Sequence, residues 1–108
     1  MADYLSFVAK MKAKPGKEGE LREALLSLVP PTHAEPGCVQ YDLHQSIEDP
    51  ALFVFYENWT GERALGEHLK SSHVQTALAR ALGSLAAPPE FYRLKKISRP
   101  KAVPLQKK

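Results

Sequence analysis

The segment LFVFYENW, residues 52–59, constrains the fold more than any other stretch of this chain. It is rich in aromatic and β-branched residues, a composition that favours a pleated strand. Side chains alternate between the two faces of a strand, so Phe53, Phe55, Glu57 and Trp59 share one face, and Leu52, Val54, Tyr56 and Asn58 share the other. Large apolar groups stand on both faces, so both sides of the sheet need cover. A layer of helices covers one side. In a chain of 108 residues a second copy of the same chain is the expected cover for the other, giving a homodimer packed sheet to sheet.

The neighbouring segments supply the rest of the sheet and one helical layer. Residues 5–13 alternate, with Leu5, Phe7, Ala9, Met11 and Ala13 on one face, and Pro15-Gly16 turns the chain. From Lys17 the period becomes helical, with Leu21, Ala24, Leu25, Leu28 and Val29 forming one apolar stripe until Pro30-Pro31. After Pro36-Gly37, the residues Val39, Tyr41, Leu43 and Gln45 mark one face of a second strand. The Glu48-Asp49-Pro50 turn is short, so this strand and residues 52–59 form an antiparallel hairpin. Thr60 is the predicted cap of a helix running to about Lys70, and Ser71-Ser72 breaks or re-caps it. Val74, Ala77, Leu78, Ala81, Leu82 and Leu85 form a further helical stripe, and residues 91–97 read as a fourth strand. The order β-α-β-β-α-β, with the second helix broken in two, predicts an α+β, ferredoxin-like fold with an antiparallel sheet. One domain over residues 1–98 and a basic tail over 99–108 are expected.

Charge separates body from tail. Residues 93–108 carry Arg93, Lys95, Lys96, Arg99, Lys101, Lys107 and Lys108 with no acid, a net of +7, while residues 1–92 carry a net of −4. The tail lacks the interleaved aromatics of a single-strand binder and reads as a solubilising end, with no nucleic-acid partner expected. No apolar run reaches the ~18 residues of a membrane span. The first ten residues, MADYLSFVAK, show no basic segment followed by an apolar one, so a cytoplasmic protein without membrane association is expected. Cys38 is the single cysteine, which excludes a disulfide framework and paired-cysteine zinc sites, and it reads as a small buried hydrophobe.

Chemistry concentrates around the junction after Trp59. If the face bearing Glu57 meets the helices, Glu57 is a carboxylate among aromatics, and burial suits it to general-base work. The competing reading is a carboxylate paired with a cation or capping the next helix. His68 falls beside the buried stripe of its helix, three residues after Leu65, where it is either a hydrogen-bonded core residue or a base that orients substrate. His73 stands at the helix break, as a capping residue or a second acid/base group. Trp59, Tyr41, Phe53 and Phe55 provide the flat apolar surface an aromatic ligand needs, and each is equally suited to the core. His68 and His73 are five apart rather than four, and no third ligand is evident from sequence, so no metal site is expected.

Glu35-Pro36-Gly37-Cys38, Tyr41-Asp42-Leu43, Phe53, Glu57 with Trp59, Ala64, His68-Leu69 and Ser72-His73 together resemble the antibiotic biosynthesis monooxygenase (ABM) domain over about residues 3–97. Within it, the small bacterial quinol-monooxygenase-type proteins are the most similar subgroup. The resemblance implies a dimeric α+β barrel with a pocket between sheet and helices of each subunit. It implies oxygenation of a quinol, phenol or polycyclic aromatic by O₂ without flavin, haem or metal, the electron-rich substrate itself activating oxygen. In that setting Glu57, His68 and His73 handle protons, and Trp59, Phe53, Phe55 and Tyr41 bind the ring. Haem-degrading enzymes are similar to this family, but their axial histidine falls where this chain has Ala77-Leu78-Ala79. Other relatives are isomerases of small oxygenated signalling molecules, or dimeric binding and stress-response proteins without catalysis, and the residues alone leave both open.

Overall fold

Strand pairing places the 52–59 segment between two neighbouring strands of one sheet, so both of its edges are hydrogen-bonded. The computed structural model describes residues 3–102. Strand β3 (Leu52–Trp59) lies between β2 (Cys38–Gln45) and β1 (Leu5–Lys12), and β4 (Glu90–Lys95) adds to the far side of β1. All pairings are antiparallel, in the order β2-β3-β1-β4. Helices α1 (Glu18–Leu26), α2 (Val29–His33), α3 (Glu62–Lys70) and α4 (Ser72–Ala81) cover one face. This is the α+β, ferredoxin-like architecture the periodicity predicts.

The core forms where the inward parity of the strands meets the helical stripes. Phe7, Ala9, Met11, Tyr41, Phe53, Phe55 and Trp59 pack against Leu21, Ala24, Leu25, Leu65, Val74, Ala77 and Ala81, all nearly inaccessible. The outward parity is less covered: Val8 and Val54 are half-buried, while Tyr56, Tyr92 and Leu94 are exposed.

Several local expectations are corrected. The first helix ends at Leu26, so Leu28 and Val29 of the apolar stripe lie beyond it, and Pro30 and Pro31 occupy the first turn of a separate helix, α2, where a missing N–H breaks no intrahelical bond. Val39 does not share the face of Tyr41. The register shifts between Cys38 and Gln40, so Val39 bulges outward and Cys38 lies opposite Trp59. Gly61, not Thr60, is the N-cap of α3, and it has no side chain to cap with. Leu82 leaves the apolar stripe and is exposed, because a 3-10 turn (Leu82–Ser84) changes the helical phase after Ala81. Ala13 lies just beyond β1 and makes an isolated bridge with Leu85. The last strand stops at Lys95, leaving Ile97 exposed, and residues 96–102 contain no helix or strand. Arg93 belongs to β4 and pairs with Glu62 of α3. Residues 103–108, most of the basic tail, lie outside the described residues.

One glycine fixes how the loop before β2 meets α3. A Cβ on Gly37 would lie 2.3 Å from Ala64 Cβ and 2.9 Å from Thr60 Oγ1. Its carbonyl also accepts from Thr60 N at 3.0 Å. The loop therefore presses directly on the helix that carries His68, and Glu35, two residues earlier, is delivered to the same place.

Candidate active site

The inner face of β3 ends with a carboxylate set among rings. Glu57 is 2% exposed, and the register puts Tyr41 of β2 and Phe7 of β1 beside it. Trp59, two residues on and therefore on the same face, donates from Nε1 to Glu57 Oε1 at 2.9 Å. Burial pushes the Glu57 carboxyl up to about 7; the charge of Glu35 adds to this and the Trp59 bond opposes it. Burial, and then the Glu57 charge, also push the Tyr41 phenol well up, so it stays neutral. Thr32 Oγ1, buried and without a hydrogen-bond partner among the described residues, lies near enough to the phenol to oppose that rise.

Glu57 lines a cavity of about 40 Å³ together with Tyr41, Phe55, His68, Met11, Leu28 and Val74. Leu69 and Phe91, both exposed, mark its mouth, and the half-buried Leu78 also lines it. At roughly 10–15 Å³ for each water centre, this space holds a few waters and no aromatic ring unless the mouth opens.

His68 reaches the cavity from α3 and is 3% exposed. Its ring lies against Trp59, with centroids 4.6 Å apart, and meets Tyr41 edge-on at 5.2 Å. Behind it, Glu35 Oε2 binds two imidazoles at once, His68 Nδ1 at 2.8 Å and His73 Nε2 at 2.7 Å. Each imidazole N–H is positioned to donate to the shared carboxylate oxygen, which leaves Nε2 of a neutral His68 as its free acceptor nitrogen. Burial lowers the pKa of His68; the Glu35 hydrogen bond and charge oppose this, and His73 adds to it. His73 gets there because Ser71 ends one helix and starts the next: its Oγ donates to His68 O and accepts from Val74 N.

Of the residues picked from sequence, Tyr41, Phe55, Glu57 and His68 meet at the cavity. Trp59 stands behind Glu57 as its hydrogen-bond donor, and His73 stands behind His68, linked through Glu35. Phe53 is buried, but it lies toward Leu43 and Leu26 at the other end of β3 and does not line this cavity. Glu35 was not singled out for chemistry in the sequence, and it corrects the expectation that no third ligand accompanies the two histidines. The potential ligand atoms of Glu35, His68 and His73 all lie within 4.8 Å of one another. Cys38 is half-buried, and burial, then the charges of Glu35, Glu57 and Asp42, push its thiol up, so it is no activated nucleophile.

Comparison with known proteins identifies the family and the fold. Residues 5–80 match the family described as antibiotic biosynthesis monooxygenase. The Bacillus subtilis protein named "Putative monooxygenase YcnE" is 35% identical over 85 residues, spanning 79% of this chain and 90% of its own. The crystal structure of PA3566 from Pseudomonas aeruginosa superposes with a TM-score of 0.84 at 33% identity, covering 91% of this chain and 98% of the other. Rv0793 from Mycobacterium tuberculosis superposes with a TM-score of 0.83 at 28% identity, covering 91% and 99%. With the ferredoxin-like sheet and a family match running from β1 into α4, this chain belongs to the antibiotic biosynthesis monooxygenase family.

Proposed function

We propose that this protein is a cofactor-independent monooxygenase that oxidises a single-ring quinol with O₂ and works as a homodimer. The observation that carries the reading is Glu57: a buried carboxylate, held near neutrality, on a cavity walled by Tyr41, Phe55 and His68. A base with a pKa near 7 is matched to removing a phenolic proton at physiological pH. Family membership and the naming of YcnE as a monooxygenase support the reaction class. The cavity admits a ring only when Leu69 and Phe91 are displaced, and a single ring asks for a smaller opening than a polycyclic substrate.

The reaction balances without an external reductant. Glu57 accepts the proton of one quinol hydroxyl, and the quinolate passes an electron to O₂. The resulting radical pair joins through a ring C–O bond to give a peroxide. Loss of water from the peroxide breaks the O–O bond, leaving one oxygen atom on the ring as a hydroxyquinone and the other in water. Glu57 returns its proton to the peroxide, His68 accepts the ring C–H proton at its free Nε2 as the O–O bond breaks and passes it to the departing hydroxide as water, and the aromatic walls keep bulk water from the intermediates. Under ¹⁸O₂ the enzyme is expected to form hydroxyquinone carrying one labelled oxygen, one molecule per O₂ consumed. Absence of O₂ uptake across a panel of single-ring quinols would falsify the reading, and so would production of hydrogen peroxide and unlabelled quinone.

The dimer reading rests on the outer face of the sheet. Val8, Val54, Tyr56, Tyr92 and Leu94 give that face an apolar patch that no helix among the described residues covers. Beside it a polar chain runs from Ser6 Oγ to Asn58 Oδ1 (2.6 Å) and from Asn58 Nδ2 to Gln40 Oε1 (2.8 Å). Light scattering is expected to give twice the 12.0 kDa chain mass. Tyr56→Glu, which places a charge in the patch, should shift the mass to one chain. A parent protein that is monomeric at all concentrations would exclude the arrangement.

A further inference from the structure

We infer that Glu35, His68 and His73 form a binding site for a divalent first-row transition ion of the Zn²⁺ or Cu²⁺ type. This goes beyond the oxygenation reading and does not depend on it. The three side chains come from separate parts of the fold: the loop before β2, the last turn of α3 and the first turn of α4. Glu35 Oε2 marks the point on which two imidazole nitrogens converge, 2.8 Å from His68 Nδ1 and 2.7 Å from His73 Nε2. A zinc-type ion binds nitrogen and oxygen at about 2.0–2.2 Å, so tetrahedral ligand atoms stand roughly 3.4 Å apart. The two oxygen–nitrogen separations of 2.8 and 2.7 Å open to that value if the Glu35 carboxylate retreats by about 0.6–0.7 Å and the ion enters between its oxygen and the two nitrogens.

The surroundings favour the exchange. The His68 ring is already fixed between Trp59 and Tyr41, so little freedom is lost on binding. Glu35 and His73 are partly exposed, at 17% and 22%, which gives an ion a route in from solvent. Two neutral imidazoles and one carboxylate suit a borderline ion over Mg²⁺ or Ca²⁺, which prefer oxygen ligands. One carboxylate leaves the bound ion with a net charge of about +1 and with coordination positions open to water or an anion.

The test uses the chelator-treated full chain. Titration with Co²⁺ should produce visible ligand-field absorption that saturates at one ion per chain, and Zn²⁺ should displace it. Glu35→Gln and His73→Ala, both at partly exposed positions compatible with folding, should each weaken binding by at least about tenfold. His44→Ala, on the exposed face of β2, should bind like the parent. Imidazole resonances of His68 and His73 should shift together on addition of Zn²⁺. Failure to saturate, or equal affinity in the parent, Glu35→Gln and His73→Ala proteins, overturns the assignment. None of these readouts requires turnover, so a failed oxygenase assay leaves the result intact.

Discussion

Glu57→Gln is expected to lower quinol turnover by about 10²–10⁴-fold, the usual contribution of a positioned base, while making the protein more stable at pH 8. The two effects have one cause. In the unfolded chain the carboxyl ionises near its ordinary 4.5, and in the folded chain at about 7, chiefly because it is buried. The folded state therefore holds the proton more tightly. That stabilising contribution is complete below pH 4.5, declines as pH rises, and is gone above about pH 7, where the buried charge costs about 3 kcal/mol relative to low pH. Glutamine keeps an oxygen to accept from Trp59 Nε1 and removes the charge. Its advantage should appear in denaturant titrations at pH 8 and shrink toward pH 4. Turnover of the parent should rise with pH through a limb near 7, as the base ionises. A Glu57→Gln protein with parental turnover, or with the same stability difference at both pH values, would mean that Glu57 is only a structural carboxylate.

The strand parity of residues 52–59 shows why much of this site was legible in sequence. Period-two alternation is local, so Phe53, Phe55, Glu57 and Trp59 could be assigned to one face without knowing what the face met. Helix phase likewise brought His68 inward beside Leu65. What escaped was produced by contacts between distant segments. Glu35 lies 33 residues from His68 in sequence, and nothing in their spacing indicates that the loop and α3 touch. The clue was Gly37, whose missing side chain allows the close approach to Ala64. As a glycine after a proline it reads equally well as a simple turn residue. Phe53 shares that face without lining the cavity for the complementary reason: parity gives the face and not the position along it, and the cavity occupies only the Glu57 end of β3. The bulge at Val39 reversed parity inside β2, which no count of alternating residues reveals.

Trp59→Ala should be the most destabilising change at the site, and a comparison with Trp59→Phe separates packing from electrostatics. Trp59 is inaccessible to solvent, lies against His68 and meets Tyr41 edge-on. Truncating a buried tryptophan costs about 3–5 kcal/mol, a large share of the ~5–15 kcal/mol that holds a domain of this kind together. A fall in Tm on the order of 15 °C follows. Phenylalanine keeps most of the contact and removes only the indole N–H, leaving Glu57 Oε1 without its donor at a cost of about 1–3 kcal/mol. That hydrogen bond is the influence holding the carboxyl down against burial. Its loss must move the pKa of Glu57 above 7 and carry the limb of the pH–rate profile with it. At pH 7 Trp59→Phe should be slower than the parent, and at pH 9 the two should converge, because a base that is ionised in both proteins no longer distinguishes them. An unmoved limb in Trp59→Phe would show that Glu57 is not the titrating group. A loss below about 1 kcal/mol in Trp59→Ala would show that the indole does not carry the packing the structure gives it.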